Sequence, residues 1–260
     1  MAEEEKIREH AKQALQALTD KKKGWKEKLK DFLWEILIIV IAINLTLWFH
    51  SWNDKRHDRE LEKNFLIGTR EDLNNVKESL NSFFEMYQQT IDYYDSVWVQ
   101  MNENRIDTAF IDSNSRGLTN VYPFTYNNSR FESFKSSGYI RLIKNSALLE
   151  SITFLFTVKL PQREALDNMI FNNRLSEFTT YIGSKARIDS SGKIYVSKLL
   201  NNSEVKFQIY KQRTLLHEMK SQKQDLLQMV DAVITQINQE LKMRFKYEVK
   251  NEKEIKNASR

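Results

Sequence analysis

An unbroken apolar stretch limits what this sequence can fold into more than any other feature. Residues 32–49 read FLWEILIIVIAINLTLWF, eighteen residues among which only Glu35, Asn44 and Thr46 are polar. As a helix rising about 1.5 Å per residue, such a stretch covers about 27 Å, close to the roughly 30 Å hydrocarbon core of a bilayer. The stretch predicts a transmembrane helix over residues 31–52, with the lipid bilayer as its partner.

Tryptophan and lysine residues mark the ends of the predicted span. Trp34 lies near its start and Trp48 and Trp52 near its end, where tryptophan favours the headgroup level and anchors a helix. Residues 12–31 carry seven lysines, whereas residues 50–69 carry four basic residues. Positive flanks resist translocation, so this excess predicts a cytoplasmic amino terminus and an extracytoplasmic carboxyl-terminal part. A cleaved signal peptide is the rival interpretation, but no small-residue cleavage site follows the apolar run.

Two polar and two small residues predict how the span packs. Glu35 lies one turn inside the apolar run, where its side chain can reach the interface. Asn44 lies on the opposite helix face, so the two residues do not form one polar seam. Ala42 and Thr46 are small residues four positions apart, a spacing that lets two membrane helices approach closely. Asn44 can form a hydrogen bond across such a contact. These four residues are the predicted packing site of a homo-oligomer. The alternative is an asparagine tolerated at the lipid or headgroup surface.

The rest of the chain is predicted to be helical. It has no Cys, which excludes disulfides, thiolate metal sites and a cysteine nucleophile, and only 6 Gly and 2 Pro supply turns. Apolar residues alternate in steps of three and four over two long segments, which is typical of a coiled-coil-like seam. The first seam comprises Leu73, Val76, Leu80, Phe83, Tyr87, Thr90, Tyr94, Val97 and Met101. The second comprises Ile209, Gln212, Leu216, Met219, Lys223, Leu226, Val230, Val233 and Ile237.

These patterns predict an all-α protein in which one transmembrane helix continues into a long-helix antiparallel bundle or a coiled-coil-like stalk. Gly68 is the expected weak point of the long helix, Gly138 is an expected helix cap, and either Asn145 or Ser146 is expected to cap the helix that follows. The predicted segments are a basic helical segment at 1–30, the span at 31–52, a stalk helix at 53–104, a middle region of loop and shorter helices at 105–202, a long helix at 203–244 and a charged tail at 245–260.

Two blocks of the sequence carry more specific motifs. The first block, residues 33–73, has a glutamate-led apolar run that ends in Trp52, Asn53 and Asp54. The second block, residues 130–152, has a Ser-Ser-Gly, Leu-Ile-x-Asn core. That core consists of Ser136, Ser137, Gly138, Leu142, Ile143 and Asn145. In both blocks the chain resembles a family of uncharacterised single-span membrane proteins common in Bacteroidota, and the resemblance covers about a quarter of the chain. It implies a location in the bacterial envelope and no catalytic residue. Together with the orientation from the lysine excess, it leads to the prediction of a single-pass protein of the bacterial inner membrane whose carboxyl-terminal part lies in the periplasm.

No catalytic, cofactor-binding or metal-binding residue is predicted. The four histidines fall in separate regions, and none belongs to a helical metal-binding pattern. Arg213 and His217 share a helix face in a way that suggests a nuclease pair, but their spacing is one residue short of the commonest helical motif. The net charge of +5 comes from 40 basic and 35 acidic residues, a near balance that gives no reason to expect nucleic acid as a partner.

The sequence therefore predicts a non-enzymatic, single-span membrane protein. Its helical bundle would act as a scaffold, an accessory subunit or a sensor-like module, through homo-oligomerisation and with an unidentified protein partner. An alternative of another class is a homo-oligomeric pore or membrane-disrupting effector in which Asn44 faces the lumen. A membrane-tethered hydrolase is a third interpretation, and it depends on Arg213 and His217 alone.

Overall fold

The structure, a computed structural model, describes residues 8–9, 11–12, 25–118, 123–192 and 194–247. These residues are mostly helical, which confirms the predicted all-α class. Most of the predicted basic segment 1–30 and of the charged tail 245–260 lies outside the described residues. The chain divides into two compact units, residues 1–61 and residues 62–260.

Helices of very different lengths follow one another along the chain. They are α1 (Trp25–Glu103), α2 (Thr108–Ser113), α3 (Ser129–Ser136), α4 (Ser146–Phe154), α5 (Leu160–Asn173), α6 (Thr180–Lys185) and α7 (Ser203–Phe245). Turns of 3₁₀ helix lie at Ser115–Leu118, Tyr139–Leu142 and Ser197–Leu199, and turns of π-helix at Leu155–Lys159 and Arg174–Thr179. Two-residue strands, β1 (Arg187–Ile188) and β2 (Ile194–Tyr195), pair antiparallel between α6 and α7.

Helix α1 is 79 residues long and passes through Gly68 without interruption, so the expectation of a weak point there was wrong. The reason lies in the packing around this glycine. The guanidinium of Arg130 occupies the space beside it, because a Cβ added to Gly68 would lie 2.1 Å from Arg130 Nη1. From this position Arg130 donates through Nε to Asp72 Oδ2 at 2.8 Å. Gly68 therefore admits a side chain from α3 and does not break the helix.

The two predicted seams form the core of the second unit. Every one of the nine seam positions of α1 and the nine of α7 is buried, the polar residues Thr90, Gln212 and Lys223 included. Aromatic residues of α1 fill much of this core, with Phe83 and Tyr87 stacked at 3.7 Å between ring centroids. The alternation of steps of three and four therefore identified the buried face of each helix correctly.

Polar contacts along α7 show that it runs antiparallel to the part of α1 within the second unit. Lys77 Nζ donates to Asp231 at 2.6 Å, Lys220 Nζ to Gln88 at 2.6 Å, and Arg213 Nε to Asp95 at 2.5 Å. From the first of these pairs to the last, the residue number rises along α1 and falls along α7. Helix α7 also contacts α4, α5 and α6 in antiparallel order. The pairs are Asn145 with Glu240, Arg163 with Gln222 and Tyr181 with Glu204.

Local signals define several helix ends in the middle region. Gly138 adopts a left-handed φ of 72°, as its position after α3 predicted. Asn145 caps α4, since its side-chain oxygen accepts a hydrogen bond from the Leu148 backbone N–H at 3.1 Å. Pro161 lies in the first turn of α5, directly after a turn of π-helix. The hairpin of β1 and β2 was not predicted, because each strand has only two residues and leaves no periodic pattern.

Candidate functional site

The predicted membrane segment lies in the first unit, where most of its residues are exposed and none is buried. Its most apolar eighteen-residue window has a mean hydropathy of 2.2, and none of that window is buried. Trp34, Trp48 and Trp52 are each more than half exposed. By length and composition this is the one helix within the described residues that is apolar enough to cross a membrane.

Asn44 and Thr46 satisfy hydrogen bonds within their own helix. Asn44 Nδ2 donates to the Val40 carbonyl at 2.7 Å, and Thr46 Oγ1 donates to the Ala42 carbonyl at 2.9 Å. Such bonds lower the cost of placing a polar side chain in hydrocarbon. The Asn44 bond uses one N–H of the amide, which has a further N–H and an acceptor oxygen to offer a neighbouring helix. Glu35 is half-buried, whereas Ala42 is exposed.

The Ser-Ser-Gly, Leu-Ile-x-Asn core lies where α3 ends and α4 begins. The hydroxyls of Ser136 and Ser137 donate to the Ser133 carbonyl, and the side chains of Leu142 and Ile143 are buried. These residues form a tight connection whose polar ends are satisfied locally. The arrangement indicates a structural role for these residues.

Asn145, the last residue of the Ser-Ser-Gly, Leu-Ile-x-Asn core, also contacts a polar junction, a group of hydrogen-bonded polar residues between α1 and α7. Its Nδ2 donates to Glu240 Oε2 at 2.8 Å, while the Lys144 backbone N–H donates to Glu62 Oε1 at 3.0 Å. Arg244 donates to both carboxylate oxygens of Glu62 and to Glu240. Glu62 is only 1% exposed, so these bonds supply the partners that a buried carboxylate needs. This junction was not predicted, since Glu62 lies in a charged run of the sequence.

A second buried polar group lies between α5 and α7. Arg163 donates to Asp167 through Nε at 2.6 Å and again through Nη2, and Lys223 Nζ donates to the other oxygen of Asp167. Arg163 Nη1 also donates to Gln222 Oε1 at 2.6 Å. The side chains of Asp167 and Lys223 are fully buried, and that of Arg163 is 5% exposed. We call Arg163, Asp167 and Lys223 the buried charge cluster.

Aromatic rings surround the lysine of the buried charge cluster. Its ammonium lies 3.2 Å from the ring centroid of Phe83, 5.6 Å from that of Tyr87 and 5.7 Å from that of Phe124. Burial among these rings lowers the pKa of Lys223 to about 8, although the carboxylate of Asp167 acts in the opposite direction. In the sequence, Lys223 is a polar residue within the seam of α7, and its partners were not predicted.

A cavity of about 250 Å³ adjoins the buried charge cluster. The lining residues are Lys159, Gln162, Arg163, Leu166, Gln222, Asp225, Leu226 and Met229. Four of them come from α5 and the π turn before it, and four from α7. In each set the other three residues follow the first one after three, four and seven positions, which places the set on one helix face. The cavity is therefore a groove between two helix faces that carry charges of both signs.

Two further buried groups connect the middle region to the core. Asp112 accepts hydrogen bonds from the Val196 N–H, the Ser197 N–H and the Ser197 hydroxyl, all between 2.8 and 2.9 Å. Arg174 donates to the Leu118 carbonyl at 3.0 Å and to the Tyr94 hydroxyl at 3.2 Å. Burial raises the pKa of Tyr94 to about 12, against the opposing effect of Arg174.

Arg213 and His217 meet the same carboxylate of α1. Arg213 Nε lies 2.5 Å from Asp95 Oδ1, and His217 Nε2 lies 3.0 Å from the same oxygen. Partial burial raises the pKa of Asp95, but the hydrogen bonds from His217 and Arg213 outweigh this effect and bring the pKa below its usual value. The two residues on which the hydrolase alternative depends are thus joined through an acidic residue of another helix. Within the described part of the chain, no three His, Asp or Glu side chains are grouped as metal ligands.

No protein-family model, curated protein or solved structure matches this chain. The resemblance to the Bacteroidota family therefore stays a prediction, and function has to be argued from the exposed apolar helix and the polar groups of the second unit.

Proposed function

We propose that this chain is a single-span, non-enzymatic membrane protein whose helical bundle acts outside the membrane as a scaffold, accessory subunit or sensor-like module. The observation that carries the proposal is that no residue of the most apolar window of α1 is buried. Thirteen large apolar side chains between Leu33 and Trp52 are more than two-fifths exposed. Leaving one such side chain in water forgoes about 1.5–3 kcal/mol of burial energy, so a lipid environment is strongly favoured.

The polar residues of the segment support the same proposal. Asn44 and Thr46 bond to carbonyls one turn earlier, which suits a helix whose backbone and side chains have no water to bind. The lysine excess of residues 12–31 over residues 50–69 favours a cytoplasmic amino terminus. The span would then lie in the inner membrane of a bacterium, and the bundle would lie in the periplasm.

Homo-oligomerisation through the span is part of the proposal. Ala42 and Thr46 lie one turn apart and allow close approach of two helices, and the remaining N–H and oxygen of the Asn44 amide can bond across the contact. Glu35 lies near the end of the same segment, within reach of the headgroup region. A larger residue at Ala42, as in Ala42→Ile, is expected to weaken association of the spans, whereas Ile41→Val is the matched control.

Single-cysteine labelling tests the topology directly, because the chain contains no Cys of its own. We would introduce Ala17→Cys, Ile41→Cys and Asn201→Cys separately and treat spheroplasts with a membrane-impermeant maleimide. We expect Asn201→Cys to react at once, Ala17→Cys to react only after permeabilisation, and Ile41→Cys to react only in denaturant. Equal reactivity of all three variants in intact spheroplasts or in the soluble fraction would contradict a span.

A further inference from the structure

The cavity beside the buried charge cluster has the features of a small-molecule site. Ligand cavities usually combine apolar walls with a few convergent polar groups. Here Leu166, Leu226 and Met229 supply apolar surface, while Gln162 and Gln222 supply amides. Its volume of about 250 Å³ lies just below the roughly 300–1,000 Å³ typical of drug-sized ligands. A ligand that fills it has the size of a small metabolite.

Arg163 lines this cavity, and its guanidinium is held in place by hydrogen bonds. The side chain is 5% exposed and is held by three hydrogen bonds, two to Asp167 and one to Gln222. A guanidinium has more N–H donors than these three bonds use. Arginine fixed in this way is well suited to bind a carboxylate, because little side-chain freedom is lost when the ligand arrives.

The balance of charge around Arg163 also favours an added anion. The buried charge cluster contains two cations and one carboxylate, so it carries a net positive charge away from water. A buried charge without a counter-ion is costly, and a ligand carboxylate beside Arg163 would supply one. Lys159, at the end of the π turn Leu155–Lys159, adds a second cation to the same lining. Turns of π-helix occur frequently at functional sites.

Asp225 gives the cavity a charge of the opposite sign. It lines the cavity from α7, three residues after Gln222 and four before Met229, on the same helix face. An aspartate at this place repels a simple anion but attracts an ammonium group. Together, the cations from the α5 side and the carboxylate from the α7 side match a molecule that carries both charges close together.

We propose that this cavity binds a free α-amino acid with an apolar side chain. Its carboxylate would meet Arg163 and Lys159, its ammonium would meet Asp225, and its side chain would pack against Leu226 and Met229. This inference names the ligand class of the sensor-like module and rests on the proposed function for its biological meaning. Binding itself is measurable without any assumption about membrane topology.

Calorimetric titration of the full-length protein in detergent tests the proposal with L-leucine as the probe. Two analogues each remove one charged group: 4-methylpentanoate lacks the ammonium and 3-methylbutylamine lacks the carboxylate. We expect leucine to bind, and each analogue to bind about tenfold more weakly or worse, since a lost charged contact is worth at least about 1.4 kcal/mol. Absence of leucine binding at millimolar concentration, or equal binding of leucine and 4-methylpentanoate, would overturn the proposal.

Two variants connect binding to the cavity. Asp225→Asn should weaken leucine binding about tenfold and leave 4-methylpentanoate binding unchanged, whereas Lys159→Gln should weaken the binding of both. Asp231→Asn, on the same helix and outside the cavity lining, is the matched control and should change neither. Circular dichroism of each variant establishes that it is folded. Leucine binding that none of the cavity variants alters would place the site elsewhere. The binding test and the cysteine-labelling test are independent. If leucine does not bind, the labelling result still stands, and if labelling contradicts the span, the binding result still stands.

Discussion

Two stretches of α1 have comparable numbers of large apolar residues but opposite surroundings. Between Leu33 and Trp52 these side chains point in every direction and nearly all are exposed, whereas between Leu73 and Met101 most of them repeat in steps of three and four and are buried. The second pattern forms one stripe that a partner helix covers, while the first leaves no polar face for water. The arrangement of apolar residues, more than their number, therefore separates a helix suited to lipid from a helix that builds a protein core.

The largest expected effect comes from placing charge in the exposed stretch. Each arginine at the centre of a span costs about 2.5–3.5 kcal/mol, against a gain of about 0.3–0.6 kcal/mol for each apolar residue. The double variant Val40→Arg/Ile43→Arg is therefore expected to leave the membrane fraction, as measured by fractionation and immunoblotting. Val40→Leu/Ile43→Leu is the matched control and should stay membrane-bound. Retention of the arginine variant in the membrane would show that the span does not drive localisation.

In the buried region, the sharpest effect is expected from Asp167→Ala. This change leaves the charges of Arg163 and Lys223 buried without their carboxylate, which should lower the free energy of unfolding by about 3–5 kcal/mol. Lys223→Met removes the extra cation and keeps the pair of Arg163 and Asp167, so its effect should stay within about 1 kcal/mol. Denaturant unfolding of the full-length protein in detergent gives both values. Equal losses for the two variants would show that the cluster does not act through charge balance.

The pH dependence of stability follows from the same lysine. Folded Lys223 loses its proton near pH 8, whereas in the unfolded chain it keeps the proton up to its ordinary pKa of 10.5. Between these values the unfolded state binds more protons, so the free energy of unfolding rises with pH, by at most about 1.4 kcal/mol per pH unit.

Thermal unfolding between pH 8 and 10 measures this rise, with Lys223→Met as the control that should lack it. Above pH 10 the trend should reverse, because Tyr94 ionises in the unfolded chain before it does so in the folded one. A wild-type profile parallel to that of Lys223→Met would exclude Lys223 as the titrating group.

A smaller effect is expected where α1 and α7 meet near the surface. The double variant Arg213→Ala/His217→Ala removes both partners of Asp95, which are about one-third to two-fifths exposed. Partly exposed ion pairs contribute about 0–1 kcal/mol, so the melting temperature should change little. Loss of a hydrolytic activity in this variant, with its fold intact, would instead support the nuclease interpretation.

The smallest effect is expected at Gly68. An added Cβ displaces the flexible end of Arg130 and weakens its exposed pair with Asp72, at a cost of about 0–1 kcal/mol. Alanine gains about 0.8–1 kcal/mol over glycine in a helix interior, so Gly68→Ala should be close to neutral. A loss of several kcal/mol in denaturant unfolding would mean that Arg130 cannot move aside.

The buried faces of the two long helices were predicted well from the sequence. The alternation of steps of three and four residues is long enough to be recognised even where single positions are polar, as at Thr90 and Gln212. It did not predict the partners of Lys223. Arg163 and Asp167, four residues apart, have the spacing of an ordinary surface pair, and only the packing of α5 on α7 buries them. The burial of Glu62 was not predicted for the same reason, since it lies in a charged run and only the packing of the helices buries it. The turns of π-helix were also unpredictable, since a one-residue change of register depends on contacts from distant parts of the chain.

Membrane extraction tests the central claim most directly. Membranes from cells that express the full-length chain would be washed with alkaline carbonate and then with urea, and the protein followed by immunoblotting. We expect it to stay in the pellet through both washes and to dissolve only in detergent, because the apolar segment lies in the lipid. Release of the folded protein into the carbonate supernatant would contradict the account.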